Sequence, residues 1–548
     1  VPVDEVPVEH GPVGEVLAAG PGEVRSFSAL VRRAARAAGA APAVVAGDVR
    51  LTWSEVDALV DRAAAGYRAR QLAAGDRVAV QLGNGVDWVV AVMGALRAGL
   101  VVVPVNTAYT DPEVTHLLTD SGARLLVVAA ERAELAGVPV SVGPPTSDGP
   151  APADPDDPTA LALLAYTSGT TGRPRGAMLT HAALLANQQQ LLALDPPPVR
   201  TGDRVLLVLP LFHVYGFNSG WGLVAETAAC AVLVEEFDPV ATLALMAEEQ
   251  VTAVPGAPPM YAAWLAVGDA TGSDAALRRG FAAVRTASCG AAPMPGALFE
   301  AMRTRAAVTV WEGYGLTEAA PVLASTLATG RAKPECIGGP LPGVELTLRD
   351  TAGGPTAGPD PGDRVRDDVF GDPFDDDADE AGEICARGPN LFSGYWPDGA
   401  DGPDADGWLL TGDIAYRDAE GDLKLVDRRR DLVLVSGFNV YPGEVERVLD
   451  EHPGVAESAV IGVPDPRTGE AVHAVVVRRP DAEPQVTEEQ LRQHAGRSLA
   501  RFKVPAAVHF VPELPHSLAG KVSRARLREL GLERAAAAAA TEEDEPGA

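Results

Sequence analysis

Tyr166-Thr167-Ser168-Gly169-Thr170-Thr171-Gly172-Arg173-Pro174-Arg175-Gly176 follows an apolar run from Leu161 to Ala165. The run reads as a strand, and a helix pattern follows the loop. The glycines let the backbone turn tightly and approach a ligand. The hydroxyls and N–H groups can surround phosphate oxygens, and Arg173 and Arg175 add positive charge. The spacing is not G-x-x-x-x-G-K-[ST], so this is a phosphate loop of another kind. A bland Ser/Thr/Gly turn accounts for three or four of these residues, but not for eleven in succession behind a strand.

Outward from the loop, residues 75–130 alternate short and long apolar runs. Val78-Ala79-Val80, Val101-Val102-Val103 and Leu125-Leu126-Val127-Val128 predict strands, and Asp87 to Arg97 predicts a helix. This is a βαβ rhythm, and it recurs near 204–265 and 282–345. The apolar stretch from Trp88 to Val105 is broken by Arg97, Gly99 and Pro104, so it reads as helix, turn and buried strand, not as a membrane span. At 548 residues the chain exceeds what one core serves, and two or three packed units are expected. Residues 143–158 read as an exposed connection. Residues 352–381, with Asp375-Asp376-Asp377-Ala378-Asp379-Glu380, read as a solvated insertion between two strands. The polyalanine tail from Ala535 is expected to continue a last helix and fray.

The net charge of −30 speaks against nucleic-acid binding, which depends on Lys and Arg neutralising phosphates. Cys230, Cys289, Cys336 and Cys385 form no paired-ligand pattern and read as buried thiols in a reducing compartment. The acidic start Val1-Pro2-Val3-Asp4-Glu5 lacks the features of a signal peptide, so the cytoplasm is the expected location, with peripheral membrane contact left open. Only four lysines occur, Lys333, Lys424, Lys503 and Lys521, so a lysine kept inside a motif is informative.

Further segments carry residue types suited to a nucleotide. Glu312-Gly313-Tyr314-Gly315-Leu316-Thr317-Glu318 offers an aromatic face, a hydroxyl for a phosphate and a hard carboxylate for Mg²⁺. Gly407-Trp408-Leu409-Leu410-Thr411-Gly412-Asp413 ends in a carboxylate able to accept from both hydroxyls of a ribose. Ser288-Cys289-Gly290-Ala291-Ala292-Pro293 is a turn of small residues, a weak signal alone. Pro210-Leu211-Phe212-His213-Val214-Tyr215-Gly216 supplies aromatics able to wall a hydrophobic slot, although a core strand with a satisfied histidine explains it as well.

Taken together, these segments resemble the adenylate-forming superfamily of acyl-CoA synthetases, aryl-CoA ligases, luciferases and peptide-synthetase adenylation domains. The resemblance spans about residues 25 to 530. It implies an α/β fold: a large multi-subdomain N-terminal domain (1–426) with mixed sheets flanked by helices, a hinge (427–431), a small mobile α+β C-terminal domain (432–534) and a tail (535–548). ATP, Mg²⁺ and CoA are the implied cofactor and co-substrates, and a homodimer is left open. Thr167, Ser168, Gly169, Thr170, Thr171, Gly172 and Arg175 would hold phosphates, with Thr170 and Glu318 at the metal. Arg175 stands where the family has lysine. Gly290 and Ala291 would lie under adenine, with Glu312, Gly313, Tyr314 and Gly315 beside it. Asp413 and Arg428 would bind ribose and phosphate, and Arg430 marks the hinge position. Ser436, Gly437 and Phe438 would face CoA, and their run Ser436-Gly437-Phe438-Asn439-Val440-Tyr441-Pro442 resembles bacterial long-chain fatty acyl-CoA ligases. Lys521, in Leu514-Pro515-His516-Ser517-Leu518-Ala519-Gly520-Lys521, falls at the catalytic lysine position, with Thr317, Glu318 and His213 completing the implied catalytic set.

The implied reaction joins a fatty acid to CoA through an acyl-adenylate, releasing AMP and pyrophosphate. An aryl-CoA ligase of the 4-coumarate type, an adenylase that loads a carrier protein and a non-catalytic nucleotide-binding protein are the competing readings. An amino-acid adenylase would want an acidic residue near the aromatic segment, and Phe212 to Asn218 offers none.

Overall fold

The computed structural model describes residues 24–168, 174–349, 382–418, 420–428, 433–436, 438–440, 442–479, 485–514 and 527. The βαβ rhythm lies where the apolar runs place it. Strand Arg77–Gln81 is followed by helix Val86–Arg97, strand Val101–Pro104, helix Asp111–Ser121 and strand Leu125–Val128. These three strands are parallel neighbours in a six-stranded sheet, ordered Val140–Val142, Leu125–Val128, Arg77–Gln81, Val101–Pro104, Leu161–Ser168 and Pro174–Thr180. Helices cover such a sheet on both faces, so its strands are unbroken apolar runs, and every residue of Val101–Pro104 is buried. Gly94 lets the covering helix approach its neighbour Trp53–Ala69, since a Cβ there would fall 2.5 Å from that of Ala63.

The helix expected directly after the phosphate loop is preceded by another strand. Pro174–Thr180 runs back antiparallel to Leu161–Ser168, and the helix His181–Leu192 begins only after it. Gly176-Ala177-Met178-Leu179 is a short apolar run that periodicity alone assigns to neither state. Pairing against the open edge of Leu161–Ser168 decides it, and sets Thr167 opposite Arg175.

A second sheet of nine strands runs Gly339–Pro340, Val322–Ser325, Val310–Gly315, Thr286–Cys289, Ala253–Gly256, Arg204–Leu207, Cys230–Leu233, Pro42–Ala46 and Val49–Thr52. A third is antiparallel: Glu345–Arg349, Gly382–Arg387, Leu409–Arg417 and Leu423–Arg428. Its first two strands pair from Glu345 opposite Arg387 to Arg349 opposite Glu383. The acidic insertion thus joins adjacent strands, while the run itself and the polyalanine tail lie outside the described residues.

From Val433 onward the chain builds a separate five-stranded sheet with its own core, including Val445, Leu449, Val460, Val476 and Leu491. This is the small α+β domain. It meets the large domain along helix Asp111–Ser121. A cleft of about 350 Å³ separates Tyr109, His116 and Pro174 from Arg447, Glu451 and Ser498. The Thr110 hydroxyl donates across the junction to the Ser498 carbonyl at 3.1 Å. All four cysteines are buried and unpaired. Among the described residues no helix is long and apolar enough to cross a membrane.

Candidate active site

Three sheets converge on the motif residues. The Val310–Gly315 strand of the nine-stranded sheet ends in the Glu312–Glu318 segment, which turns into a short helix at Thr317–Ala319. Gly315 is required at that turn, because a Cβ would fall 1.9 Å from the Pro321 carbonyl oxygen. The Tyr314 hydroxyl donates to Asp413 Oδ2 at 2.8 Å, joining this sheet to the antiparallel one. Asp413 is buried and sits opposite Arg428 in the strand ladder. The Thr167 hydroxyl donates to Glu318 Oε1 at 3.4 Å, bringing in the six-stranded sheet.

Tyr395 completes this corner, although no motif in the sequence pointed to it. Its hydroxyl donates to Glu318 Oε1 at 2.5 Å. The Arg175 guanidinium carbon lies 4.0 Å from the centre of its ring, and Arg175 Nη1 reaches Asp401 Oδ2 at 2.6 Å. Burial first, then the neighbouring Glu318 charge, raises the Tyr395 pKa well above its ordinary value, so the hydroxyl remains a donor. Both hydroxyls go to Oε1 of Glu318, and among the described residues no hydrogen bond reaches Oε2. That donor set fits a hard divalent cation, which takes one or two carboxylates alongside substrate phosphates. The signal that could have disclosed Tyr395 is the aromatic cluster Phe392, Tyr395 and Trp396 around Gly394.

Glu312 behaves differently from its neighbours. Its Oε2 accepts the Met294 N–H at 3.1 Å and its Oε1 the Glu335 N–H at 2.8 Å. Burial pushes this carboxyl up to about 7, against the backbone donors that pull it down. Both carboxylate oxygens are thus engaged by backbone N–H groups, one of them at the end of the Gly290–Met294 turn. Ala291 in that turn has φ +68°, and a Cβ on Gly290 would come within 2.9 Å of the Tyr215 ring. The small-residue turn thus rests on the aromatic segment. That segment is no core strand: Tyr215–Gly222 is a π-helix. His213 is exposed, and desolvation by the surrounding protein lowers its pKa. Its Nδ1 accepts the Tyr215 N–H at 3.4 Å.

Ser436 and Phe438 flank the turn of a hairpin in the small domain, with Ser436 at φ +51° and Phe438 stacked on Phe502 at 4.6 Å. Among the described residues no hydrogen bond or ring contact links either one to the large-domain cluster. Gly169, Thr170, Thr171 and Gly172, the Ser168 and Arg428 side chains, Arg430, Gly437 and Lys521 lie outside the described residues.

The AMP-binding enzyme model matches residues 31–396, and the AMP-binding enzyme C-terminal domain model matches 444–521. The chain belongs to the AMP-binding enzyme family. Within this family it is 36% identical over 511 residues to a feruloyl-CoA synthase of Amycolatopsis sp, covering 90% of this chain and 97% of the relative. It is 34% identical over 511 residues to a long-chain-fatty-acid–CoA ligase of Escherichia coli, covering 83% and 85%. The o-succinylbenzoate CoA synthetase of Bacillus subtilis superposes with a TM-score of 0.77 at 27% identity, over 91% of this chain and 98% of that one. This AMP-binding enzyme is an AMP-forming acid–CoA ligase that works through an adenylate, with ATP and CoA as co-substrates and Mg²⁺ as the usual ion.

Proposed function

We propose that the acid is a fatty acid and that one site serves two half-reactions in turn. The observation that carries the substrate class is the run from Ser436 to Pro442, which is worded like that of bacterial long-chain ligases. The relative from Escherichia coli acts on such acids. The feruloyl-CoA synthase relative favours a second reading, an aryl acid.

In the first half-reaction a carboxylate oxygen attacks the α-phosphorus of ATP, and the bond to pyrophosphate breaks. Thr167 and Arg175 face the phosphates from paired strands, and Thr317 adds a hydroxyl. Asp413 takes the ribose hydroxyls, beside Tyr314 and Arg428. Glu318 would hold Mg²⁺, which when bound would offset the charge that builds on the phosphates. Lys521 neutralises charge at the α-phosphate. The small domain, 432–534, then turns about the 427–431 hinge. Lys521 leaves, and the Gly437 turn arrives to face CoA. The thiol sulfur attacks the acyl carbon, and AMP departs.

The test is incubation with ATP, Mg²⁺ and acids from acetate through long-chain fatty acids to benzoate, coumarate and ferulate, with and without CoA, read by mass spectrometry. Acyl-CoA from the aliphatic acids is the expected product. Thioester from the aryl acids alone would move the protein to the second reading, and acyl-AMP that never becomes acyl-CoA would move it to carrier loading.

A further inference from the structure

We propose that Tyr395 is a positioning residue for the phosphate end of the site: its hydroxyl fixes the Glu318 carboxylate and its ring seats Arg175. The proposal rests on the reading of Glu318 as the ligand of the divalent ion.

Glu318 sits on a short helical turn, and the last torsion of a glutamate is broad, so the carboxylate needs an external hold to present one oxygen. Tyr395 supplies it at 2.5 Å, and the Thr167 hydroxyl reaches the same oxygen at 3.4 Å. Among the described residues Oε2 accepts no hydrogen bond. Carboxylate ligands generally depend on such outer partners for their orientation.

The tyrosine is itself firmly held. Phe392 N–H donates to the Glu318 carbonyl at 2.8 Å, Ser393 N–H to Met178 at 2.9 Å and Trp396 N–H to Gly176 at 2.8 Å. The segment therefore lies along the strand that leaves the phosphate loop and is stitched to the Glu318 turn as well. Gly394, at φ +95°, makes the bend, where a Cβ would come within 2.1 Å of the Gly399 carbonyl oxygen.

The opposite face of this arrangement belongs to arginine. A planar guanidinium can lie flat on an aromatic ring while its edge pairs with a carboxylate, and a lysine ammonium cannot do both in that way. Arg175 lies over the Tyr395 ring, its guanidinium carbon 4.0 Å from the ring centre, and pairs with Asp401 at 2.6 Å. One side chain thus sets both a negative and a positive group of the phosphate site.

The experiment uses the full chain without acid substrate. Mn²⁺ binding to the enzyme–ATP complex is followed by electron paramagnetic resonance, and ATP binding in EDTA by calorimetry. Tyr395→Phe keeps the ring and loses the hydroxyl. It should weaken Mn²⁺ binding roughly 10-fold, the lower end for losing a ligand's outer partner, and leave ATP binding in EDTA unchanged. Tyr395→Leu should add a loss of about 2–5-fold in ATP binding in EDTA, the scale of an exposed cation–π contact. Mn²⁺ affinity unchanged in Tyr395→Phe but lost in Glu318→Gln would overturn the clamp and leave the Glu318 reading intact. Unchanged affinity in both would remove the Glu318 reading and the clamp with it. Equal ATP binding in EDTA by the Phe and Leu variants would overturn the seat for Arg175.

Discussion

The Lys503 ammonium lies 2.9 Å from Glu113 Oε1, a contact that spans 390 positions of sequence and joins the small domain to the large one. Glu444 Oε1, from the small domain, lies 3.0 Å from the same ammonium, and all three side chains are buried. The Tyr109 ring sits 4.6 Å away. Glu113 also closes the capping box of its own helix, its Oε2 accepting from the Thr110 N–H. A glutamine keeps that cap and removes the charge. Glu113→Gln should therefore leave both domains folded but weaken their docking. Tryptic cleavage at Arg428-Arg429-Arg430 should quicken about tenfold, equivalent to about 1.4 kcal/mol in the docking equilibrium. Unchanged cleavage would mean that the pair does not hold the domains together.

Restoring the family residue at position 175 should not help this enzyme. Arg175→Lys loses the guanidinium contact with the Tyr395 ring and the present pairing with Asp401. The KM for ATP should rise by about 3–10-fold, for a loss of about 1 kcal/mol from cation–π and ion-pair contacts that are partly exposed. Steady-state kinetics with ATP varied is the check. A lower KM would show that the arginine is a handicap.

Acid sensitivity should have a source away from the site. The buried His181 ring accepts the Phe27 N–H on Nδ1 at 3.1 Å, and burial pulls its pKa down to about 4, with the Asp157 charge opposing. The unfolded chain takes up a proton near 6.5, so the native state binds fewer protons between these values. The stabilisation is full above about 6.5 and is lost as pH falls toward 4, amounting to about 3 kcal/mol. His181→Asn keeps an acceptor near Nδ1 and cannot titrate. Its melting temperature should fall less steeply than the wild type's between pH 6.5 and 4, as scanning calorimetry can establish.

Arg97 interrupts the apolar run from Trp88 to Val105, and it does so as a fully buried charge. It pairs with Asp57 at 2.7 Å, Asp61 at 2.8 Å and Asp154 at 3.2 Å. Arg97→Met leaves the three carboxylates to Arg32 alone, which reaches Asp61 at 2.8 Å and Asp154 at 2.6 Å, at a cost of about 1.5–3 kcal/mol, the scale of hydrogen bonds to charged groups. A fall in the chemical denaturation midpoint would register it, and a midpoint unchanged from wild type would contradict it.

Lys521→Ala should separate the half-reactions. Adenylation, followed by pyrophosphate release, should slow about 10²–10³-fold, the scale for losing a charge stabiliser. Thioester formation from supplied acyl-AMP should suffer much less. Equal losses in both would remove the domain-alternation mechanism.

Much of the large domain is legible because its central strands are buried on both faces. Val78–Val80, Val101–Val103 and Leu125–Val128 announce themselves as apolar runs, and Val86–Arg97 has the length of a helix. The Pro174–Thr180 strand is not legible, since its partner edge decides its state and pairing is not local. The π-helix at Tyr215–Gly222 is hidden for the same reason. Within the site, Tyr314, Asp413, Thr167 and Glu318 could be singled out as residue types, but their mutual contacts join separate sheets. Tyr395 and Lys503 escaped because their roles depend on what they touch: a carboxylate 77 positions away in one case and 390 in the other.

The pairing of Glu345–Arg349 with Gly382–Arg387 fixes the two ends of the intervening acidic segment next to each other, whatever its length. Loop closure between ends already in contact grows only logarithmically, by about 0.6 kcal/mol for each doubling of the chain. Residues 350–381 can therefore be shortened, lengthened or exchanged at little thermodynamic expense. That makes the junction a natural point of evolutionary length variation and a ready attachment point for a fused reporter domain.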